Sequence, residues 1–259
     1  MNTTSLRATL IASALIAGAA ALPVQAAAQV QGKDSDTTVV LIHGAFADGS
    51  AWNKVIPLLQ AKGLKVVSVQ NPLTSLGDDV GAAQRVIDAQ SGNVVLVGHS
   101  WGGTVITQAG VSDKVKALVY VAAFAPSEGQ NSGELGKGYP VPAGIASIQA
   151  DASGYLYLPA ASVAANFAQD LPAADTKLMA ATQGPIFGKA FEEKVTMAAW
   201  KSKPSYYIVA AKDRMIDPGL QQALAKKINA VTTTVQASHV PMLSQPKQVA
   251  DVILAAAKR

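Results

Sequence analysis

The 259-residue sequence contains no cysteine and only three histidines. The missing cysteines exclude disulfide bonds, a cysteine nucleophile and a lipid-modified cysteine. Charged residues make up only 15% of the chain, and its lysines and arginines form no block and no basic stripe interleaved with aromatics, although the net charge is +4. Nucleic acid is therefore not an expected partner. The phosphate-binding patterns G-x-x-x-x-G-K-[ST] and G-x-G-x-x-G are also absent, which argues against a nucleotide-binding protein.

Apolar residues, in contrast, are plentiful enough for a large core. They make up 49% of the chain, a composition typical of a globular protein. We expect a single domain over residues 37–259, preceded by a polar linker over residues 27–36.

The first 26 residues have the pattern of a secretory signal peptide. Arg7 supplies the positive charge, residues 8–22 form the apolar region, and Val24-Gln25-Ala26 is the small-residue cleavage site. The apolar run is shorter than the roughly 20 residues that span a membrane, and Pro23 ends it. We therefore predict cleavage and export rather than a stable membrane anchor. Export without disulfides fits a periplasmic or secreted bacterial protein.

Short apolar runs alternate with helical patterns along the rest of the chain. Continuous apolar strands separated by helices indicate an α/β fold, with a mostly parallel central sheet and helices on both faces. The predicted strands are 38–42, 64–69, 94–97, 117–123, 206–210 and 232–236, and the predicted helices are 51–62, 78–90, 104–111, 220–229 and one from residue 247.

The interval between the fourth and fifth predicted strands, residues 127–203, has a different character. It is rich in glycine, proline and alanine, lacks a clear strand pattern and contains several aromatic residues. Unstructured loops of that length are uncommon in compact domains, so we predict a small, largely helical insertion. Its place between two strands favours a lid over a binding site, and ordinary packing of the aromatic side chains is the alternative.

A catalytic motif lies where the third predicted strand meets a helix. The stretch "NVVLVGHSWGGTVITQAG", residues 93–110, contains G-x-S-x-G around Ser100. Gly98 and Gly102 leave room for a sharp turn that exposes the serine hydroxyl. The backbone N–H of Trp101 then lies at a helix N-terminus, where it can stabilise negative charge on a substrate oxygen. The pattern predicts a nucleophilic serine.

A serine hydroxyl needs a base to take its proton, and the three histidines are the candidates. In the strand–turn–helix folds that carry this motif, the catalytic groups follow one another as serine, acid and histidine. His239 is the only histidine that allows this order, since His43 and His99 precede Ser100. The His99 side chain must point away from the serine hydroxyl, which favours packing or a supporting hydrogen bond.

The acid is expected on the loop after an earlier strand. Asp213 directly follows the strand that ends at residue 210, where it can hold the imidazole tautomer and stabilise the imidazolium. Asp217 precedes a proline and fits a turn or a helix cap. Asp213 is favoured over Asp217, and Glu128 is a more distant alternative.

A second oxyanion donor is expected in the loop after the first strand. In "LIHGAFADGSAW", residues 41–52, His43 and Gly44 turn the chain so that the N–H of Ala45 can face the site. Phe46 is the second choice, and a plain glycine turn is the alternative explanation.

These stretches resemble the α/β-hydrolase superfamily over nearly all of the exported chain. Within it, the chain is similar to the branch of small esterases that contains plant methylesterases, hydroxynitrile lyases and bacterial relatives. The resemblance is carried by "VVLIHGAFADGSAW", "VVLVGHSWGG", "YYIVAAKDRMIDPGLQ" and "SHVPMLSQPKQVADVI". Its more specific features are Gln221 after the acid and the apolar turn at residues 242–246 after the base.

The resemblance implies an α/β-hydrolase fold with a small helical lid insertion. It also implies a catalytic triad of Ser100, Asp213 and His239, with oxyanion-hole N–H groups on Ala45 and Trp101. No cofactor and no metal belong to this arrangement.

The expected substrates are small to medium, neutral, moderately hydrophobic carboxylic esters. Hydroxynitrile lyases of the branch carry a lysine directly after the catalytic histidine and a threonine after the first-strand histidine or its equivalent. This chain has Val240 and Gly44 there, which disfavours cyanohydrin cleavage. Perhydrolysis, amide or C–C bond hydrolysis on the same triad, and a ligand-binding protein that keeps the fold without catalysis, are the alternatives.

Overall fold

The computed structural model describes Met1 and residues 36–258. The predicted signal peptide, residues 1–26, and the predicted linker, residues 27–36, lie outside these residues apart from Met1 and Asp36, so both stay predictions. Within the described part of the chain, no helix combines the length and the apolar character needed to cross a bilayer.

A six-stranded parallel sheet forms the centre of the domain. The strands of the structure are β1 (Thr37–Ile42), β2 (Lys65–Val69), β3 (Asn93–His99), β4 (Val115–Val121), β5 (Gln149–Ala150), β6 (Tyr155–Tyr157), β7 (Ile186–Phe187), β8 (Ser205–Ala210) and β9 (Val231–Val235). The central sheet has the order β2-β1-β3-β4-β8-β9, and each of its strands agrees with a predicted strand within two residues at either end. The predicted parallel sheet is confirmed.

Helices cover this sheet in two groups. They are α1 (Ile56–Gln60), α2 (Leu76–Asp88), α3 (Gly102–Ala109), α4 (Ala143–Ala146), α5 (Ala160–Ser162), α6 (Ala173–Thr182), α7 (Pro218–Lys227), α8 (Pro241–Ser244) and α9 (Pro246–Ala257). α2 packs against α3, whereas α9 packs against α1 and against β3, β4 and β8. Both groups bury apolar side chains on the sheet, and this burial supplies most of the stability of such a fold.

The prediction of one continuous helix over residues 51–62 is wrong. The structure has a 3₁₀ turn at Gly49–Trp52 and a separate short helix, α1. Asp48 is the N-cap of the 3₁₀ turn, since its carboxylate accepts a hydrogen bond from the N–H of Ser50. Pro57 lies in the first turn of α1, where its missing N–H costs nothing; inside a continuous helix it would remove a hydrogen bond.

The insertion, residues 127–203, contains helices, as predicted, but they are short segments separated by loops, and it also contains a small antiparallel sheet of β5, β6 and β7 that the sequence did not predict. Two of these strands have only two residues, too few to show an alternating pattern. The ring of Tyr155 packs against that of Phe187 across the β6–β7 pair, with centroids 5.3 Å apart.

The two ends of the insertion are held together at its base. The ammonium group of Lys227, on α7, donates a hydrogen bond to the carbonyl of Ala125 at 2.5 Å and lies 5.6 Å from the centre of the Trp200 ring. The indole N–H of Trp200 donates to the carbonyl of Pro126 at 2.9 Å. Burial in this position lowers the pKa of Lys227 to about 8. The chain thus enters and leaves the insertion at one place beside α7.

Candidate active site

The candidate site lies at the carboxyl edge of the sheet, between β1 and β3. The chain passes from β1 to β2 on one side and then returns to β3 on the other side, so the loops after β1 and β3 leave the sheet next to each other. Parallel α/β sheets bind their ligands at this kind of crossover. Ala45, from the first loop, and Ser100, from the second, line one cavity.

Ser100 lies in a strained turn between β3 and α3. Its φ of 52° falls in the left-handed region, which residues other than glycine seldom adopt. Hydrogen bonds to the end of β4 hold it there: the N–H of Ser100 donates to the carbonyl of Val121 at 3.2 Å, and its carbonyl accepts from the N–H of Phe124 at 3.1 Å. The end of β4 and the residues after it therefore hold the turn in place.

The glycines around this turn permit backbone approaches that a side chain would block. A Cβ on Gly98 would lie 2.4 Å from the carbonyl oxygen of Gly102, and one on Gly102 would lie 2.6 Å from that of Ile42. A Cβ on Gly44 would lie 2.7 Å from the Cβ of Ser100. Since real Cβ contacts are longer than 3 Å, the loops after β1 and β3 can touch only because these positions are glycine.

His239 and Asp213 form a buried hydrogen-bonded pair. The Nδ1 atom of His239 lies 2.7 Å from Oδ2 of Asp213, and the two side chains are 1% and 0% exposed. The other carboxylate oxygen accepts from the N–H groups of Met215 and Ile216, at 2.7 and 3.0 Å, and Gln221 donates to Oδ2 at 2.7 Å. A carboxylate only accepts hydrogen bonds, so Nδ1 carries the proton and Nε2 is left as an acceptor.

The two alternative acids of the sequence have other partners. Asp217 is the N-cap of α7 and accepts from the N–H groups of Gly219 and Leu220 at 2.8 and 3.1 Å. The carboxylate of Glu128 pairs with the ammonium group of Lys201 at 2.6 Å. Of the three candidates, the structure brings only Asp213 to the imidazole of His239.

The other two histidines bond to the backbone beside the site. His99 donates from Nε2 to the carbonyl of His239 at 2.8 Å, and burial lowers its pKa well below the usual value, which keeps it neutral. His43 accepts at Nε2 from the N–H of Asn71 and lies with Nδ1 2.9 Å from the carbonyl of Gly44, so Nδ1 carries the proton. Burial also lowers the pKa of His43. Both neutral rings therefore fix main-chain positions next to the site.

The predicted oxyanion donors lie beside Ser100. Trp101 is the residue directly before α3, so its N–H belongs to the positive end of that helix. Ala45 lines the cavity, whereas the N–H of Phe46 donates to the carbonyl of Gly184 in the insertion at 3.2 Å. This bond favours Ala45 over Phe46, the second choice of the sequence.

Asp79, which the sequence did not single out, is buried beneath the nucleophile turn. Its carboxylate accepts from the indole N–H of Trp101 at 2.7 Å and from the N–H of Leu73 at 2.8 Å. In the sequence it follows another aspartate in the first turn of a helix, where negative charge is expected on an exposed face. No sequence signal separates this buried aspartate from its exposed neighbour.

The cavity that Ser100 and His239 share has a volume of about 530 Å³. Most of its walls are apolar. The insertion supplies Tyr139, Val141, Ile145, Ile148, Leu156 and Phe191, the segment from β8 into α7 supplies Met215, Ile216 and Leu220, and the loops after β1 and β4 supply Phe46 and Phe124. Of the lining residues in the described part of the chain, only Lys137 and Asp217 are charged. Among the described residues, no group of three or more histidine and acidic side chains has the arrangement of a metal site.

Comparison with known proteins agrees with this architecture. The alpha/beta hydrolase family profile matches residues 39–252. The pyrethroid hydrolase of Sphingobium wenxiniae is 26% identical over 84% of this chain and 86% of its own length, and methylesterase 2 of Arabidopsis thaliana is 25% identical over 84% and 95%. The crystal structure of polyneuridine aldehyde esterase superposes with a TM-score of 0.73, at 20% identity, over 85% of this chain and 98% of that one.

These matches confirm the fold and the family that the sequence predicts. The family profile spans the strands and helices from β1 to α9, including both loops that meet at Ser100. The relatives are matched over most of their length and are named as hydrolases and esterases. The chain therefore belongs to the alpha/beta hydrolase family and is a hydrolase of its esterase branch.

Proposed function

We propose that Ser100, His239 and Asp213 form a catalytic triad that hydrolyses carboxylic esters through an acyl-enzyme. One observation carries this proposal: the buried hydrogen bond between Asp213 and His239 leaves the imidazole on the wall of the cavity that Ser100 also lines. An imidazole oriented by a carboxylate in this way is the base that a serine nucleophile needs.

In the proposed reaction, Nε2 of His239 accepts the proton of the Ser100 hydroxyl while Oγ attacks the ester carbonyl carbon. The electron pair of the C=O bond moves to the oxygen, and the N–H groups of Ala45 and Trp101 stabilise the resulting oxyanion. Asp213 stabilises the imidazolium formed at the same moment. The oxyanion then collapses, the C–O bond to the alcohol breaks, and His239 gives its proton to the leaving oxygen.

The second half of the reaction repeats these steps with water. His239 takes a proton from a water molecule, whose oxygen attacks the acyl carbon on Ser100 and forms a second oxyanion at the same N–H groups. Collapse of this intermediate breaks the bond to Oγ, and the imidazolium returns the proton to Ser100. The carboxylic acid leaves and the enzyme is restored.

We propose a neutral, moderately hydrophobic ester of small to medium size as the substrate. A cavity of about 530 Å³ lies in the usual range for small-molecule sites, and apolar walls favour an apolar ligand. A free carboxylate or ammonium group would have to give up its hydration on entering, at a cost of several kcal/mol. The relatives named as a pyrethroid hydrolase and a methylesterase support an ester substrate.

We also propose that the protein is exported, on the pattern of its first 26 residues. Expression of the full chain in a Gram-negative host should release a mature protein that begins at Ala27, in the periplasm or the medium. Mass spectrometry of the intact protein measures this start. A protein recovered in the cytoplasm with residues 1–26 still attached would contradict the proposal.

The triad is tested by turnover of p-nitrophenyl butyrate together with labelling by a fluorophosphonate. The purified wild type should hydrolyse the ester, and peptide mass spectrometry should place the phosphonate on Ser100. Ser100→Ala should lose the label and at least about 10⁴-fold in kcat. Ser132→Ala is the matched control, since Ser132 lines the same cavity but its hydroxyl is hydrogen-bonded to Thr104, and this variant should keep the label.

Two outcomes would contradict the proposed function. Turnover that survives in Ser100→Ala would exclude this residue as the nucleophile. Labelling of Ser100 without turnover of any ester in a series from acetate to octanoate would instead favour another acyl-transfer reaction or a ligand-binding protein.

A further inference from the structure

Asp79 links the residue after the nucleophile to a neighbouring loop. It lies on α2, and its two carboxylate oxygens accept from different elements: Oδ2 from the indole of Trp101, Oδ1 from the main chain of Leu73. Trp101 directly follows Ser100, and its side chain is completely buried. Hydrogen bonds to an ionised acceptor are about twice as strong as neutral ones, so this carboxylate fixes the indole firmly.

Both partners of Asp79 also contact the insertion. The carbonyl of Leu73 accepts from the N–H of Phe187, on β7, at 2.8 Å. The ring of Phe191, which lines the cavity, packs edge-on against Trp101 with centroids 5.1 Å apart. The carboxylate therefore lies where the nucleophile turn, the loop before α2 and the wall of the cavity meet.

We propose that Asp79 is a positioning residue for ester hydrolysis: by holding the Trp101 indole, it sets the direction of the Trp101 backbone N–H toward the oxyanion. This inference rests on the proposed function. The φ and ψ angles of Trp101 have few ways to change while its side chain is hydrogen-bonded at the far end and packed all round. An oxyanion donor acts only if it is aimed in advance, and a misplacement of about 1 Å can cost roughly 100-fold in rate.

The protonation of Asp79 should alter this positioning. Burial raises its pKa to about 6, against the two hydrogen bonds that lower it, and the neighbouring charges of Asp78 and Glu193 raise it further. Above this pH both oxygens accept from N–H donors. Below it one oxygen carries a proton and becomes a weaker acceptor, which loosens the hold on either Trp101 or Leu73.

The test measures the rate of fluorophosphonate labelling of Ser100 between pH 5 and pH 7.5. Asp79→Asn keeps the shape but replaces one acceptor by a donor, and we expect labelling about 10- to 100-fold slower at pH 7.5. On p-nitrophenyl butyrate, kcat should fall by a similar factor while KM changes less than about threefold. Asp78→Asn, at the exposed neighbouring carboxylate, is the matched control and should label at the wild-type rate.

The pH dependence separates positioning from a merely structural role. The ratio of the wild-type rate to the Asp79→Asn rate cancels every pH effect that both proteins share. This ratio should be largest at pH 7.5 and shrink several-fold toward pH 5, where the wild-type carboxyl is protonated. A ratio that does not change with pH would overturn the inference.

A second variant keeps the inference falsifiable if Asp79→Asn folds poorly. Trp101→Phe keeps an aromatic ring but removes the indole N–H together with part of the buried bicyclic ring, so it should show at least the same loss and the same pH trend. The double variant should lose little more than either single one, because both changes break one interaction. Wild-type labelling in Trp101→Phe would overturn the inference, whereas absence of labelling in the wild type itself would refute the proposed function first.

Discussion

The two halves of the cavity, the sheet edge and the insertion, are held together by different interactions. At the sheet edge, Gly44, Gly98 and Gly102 bring main chains into contacts closer than any side chain allows. In the insertion, a Cβ on Gly136 would meet nothing within 4 Å, and the cavity-lining side chain of Val141 is 73% exposed. The first half is held by hydrogen bonds and close packing, the second by apolar contacts between short elements.

The difference separates the demands of chemistry from those of binding. Proton transfer and oxyanion stabilisation need atoms held within about half an ångström, and buried hydrogen bonds on strand ends provide that precision. Apolar recognition is non-directional and scales with the area removed from water, so many side-chain sets can supply it. Substitutions at the sheet edge should therefore change the rate, and those in the insertion should change the preference for substrate.

The largest expected effect concerns the two aspartates after β8. Asp213→Asn should lower kcat by about 10⁴-fold, because an amide in this place can donate to the imidazole and favour the wrong tautomer. Asp217→Asn should change kcat less than about threefold, since asparagine caps a helix as well as aspartate. Steady-state kinetics on p-nitrophenyl butyrate measure both, and equal losses would mean that Asp213 is not the acid.

Alanine substitutions at Gly98, on the sheet edge, and at Gly136, in the insertion, should differ in their effect on stability. Gly98→Ala should cost roughly 3 kcal/mol of unfolding free energy or prevent folding, because the new methyl group meets the main chain of α3. Gly136→Ala should leave stability unchanged within about 1 kcal/mol, since the space around it is open. Urea unfolding followed by circular dichroism measures both. If Gly98→Ala unfolded with the wild-type free energy, close main-chain packing would not distinguish the sheet edge from the insertion.

The buried carboxylate of Asp79 predicts a pH dependence of stability. Its pKa is raised from 3.8 to about 6, so the folded state binds the proton more tightly than the unfolded chain. The corresponding stability is complete below about pH 4 and is lost as the pH rises through 6, by roughly 3 kcal/mol in total. Relative to Asp79→Asn, the wild type should therefore lose that much between pH 4 and pH 7 in urea unfolding; a constant difference would contradict the raised pKa.

The smallest expected effect belongs to the insertion. Leu156→Ala shortens a side chain in the apolar wall and so enlarges the cavity. The preference in kcat/KM should therefore shift toward longer acyl chains, by about tenfold across a series from acetate to octanoate. The kcat for the acetate ester should stay within about threefold. Leu178→Ala, at an exposed leucine of the insertion outside this cavity, should leave the series unchanged.

The same division explains how much of the fold could be predicted from the sequence. The central strands are continuous apolar runs with turn residues on either side, and their bounds were found within two residues. β5 and β7 are too short for any periodic signal, and their pairing with β6 depends on contacts between distant residues. The predicted helix over residues 51–62 is interrupted at residues 53–55, just before Pro57, a residue that marks helix starts as readily as breaks.

Within the candidate site, the sequence predicted the residues that follow strand ends. Ser100, Asp213 and His239 each stand in a loop directly after a strand, and parallel topology brings such loops to one edge. Whether they act together stays a prediction. The sequence did not reveal Asp79, since burial of a carboxylate depends on what packs over it and not on its place in a helix.

The joint at the base of the insertion has a consequence for the history and the engineering of this enzyme. Because Lys227 and Trp200 tie the entering and leaving segments to each other, residues 127–203 form a cassette whose two ends start from the same spot. Because its two ends lie together, such a segment can be exchanged for another without changing the strands of the central sheet. New substrate ranges could thus be acquired by replacing one block of the gene, while the machinery beneath it is inherited intact.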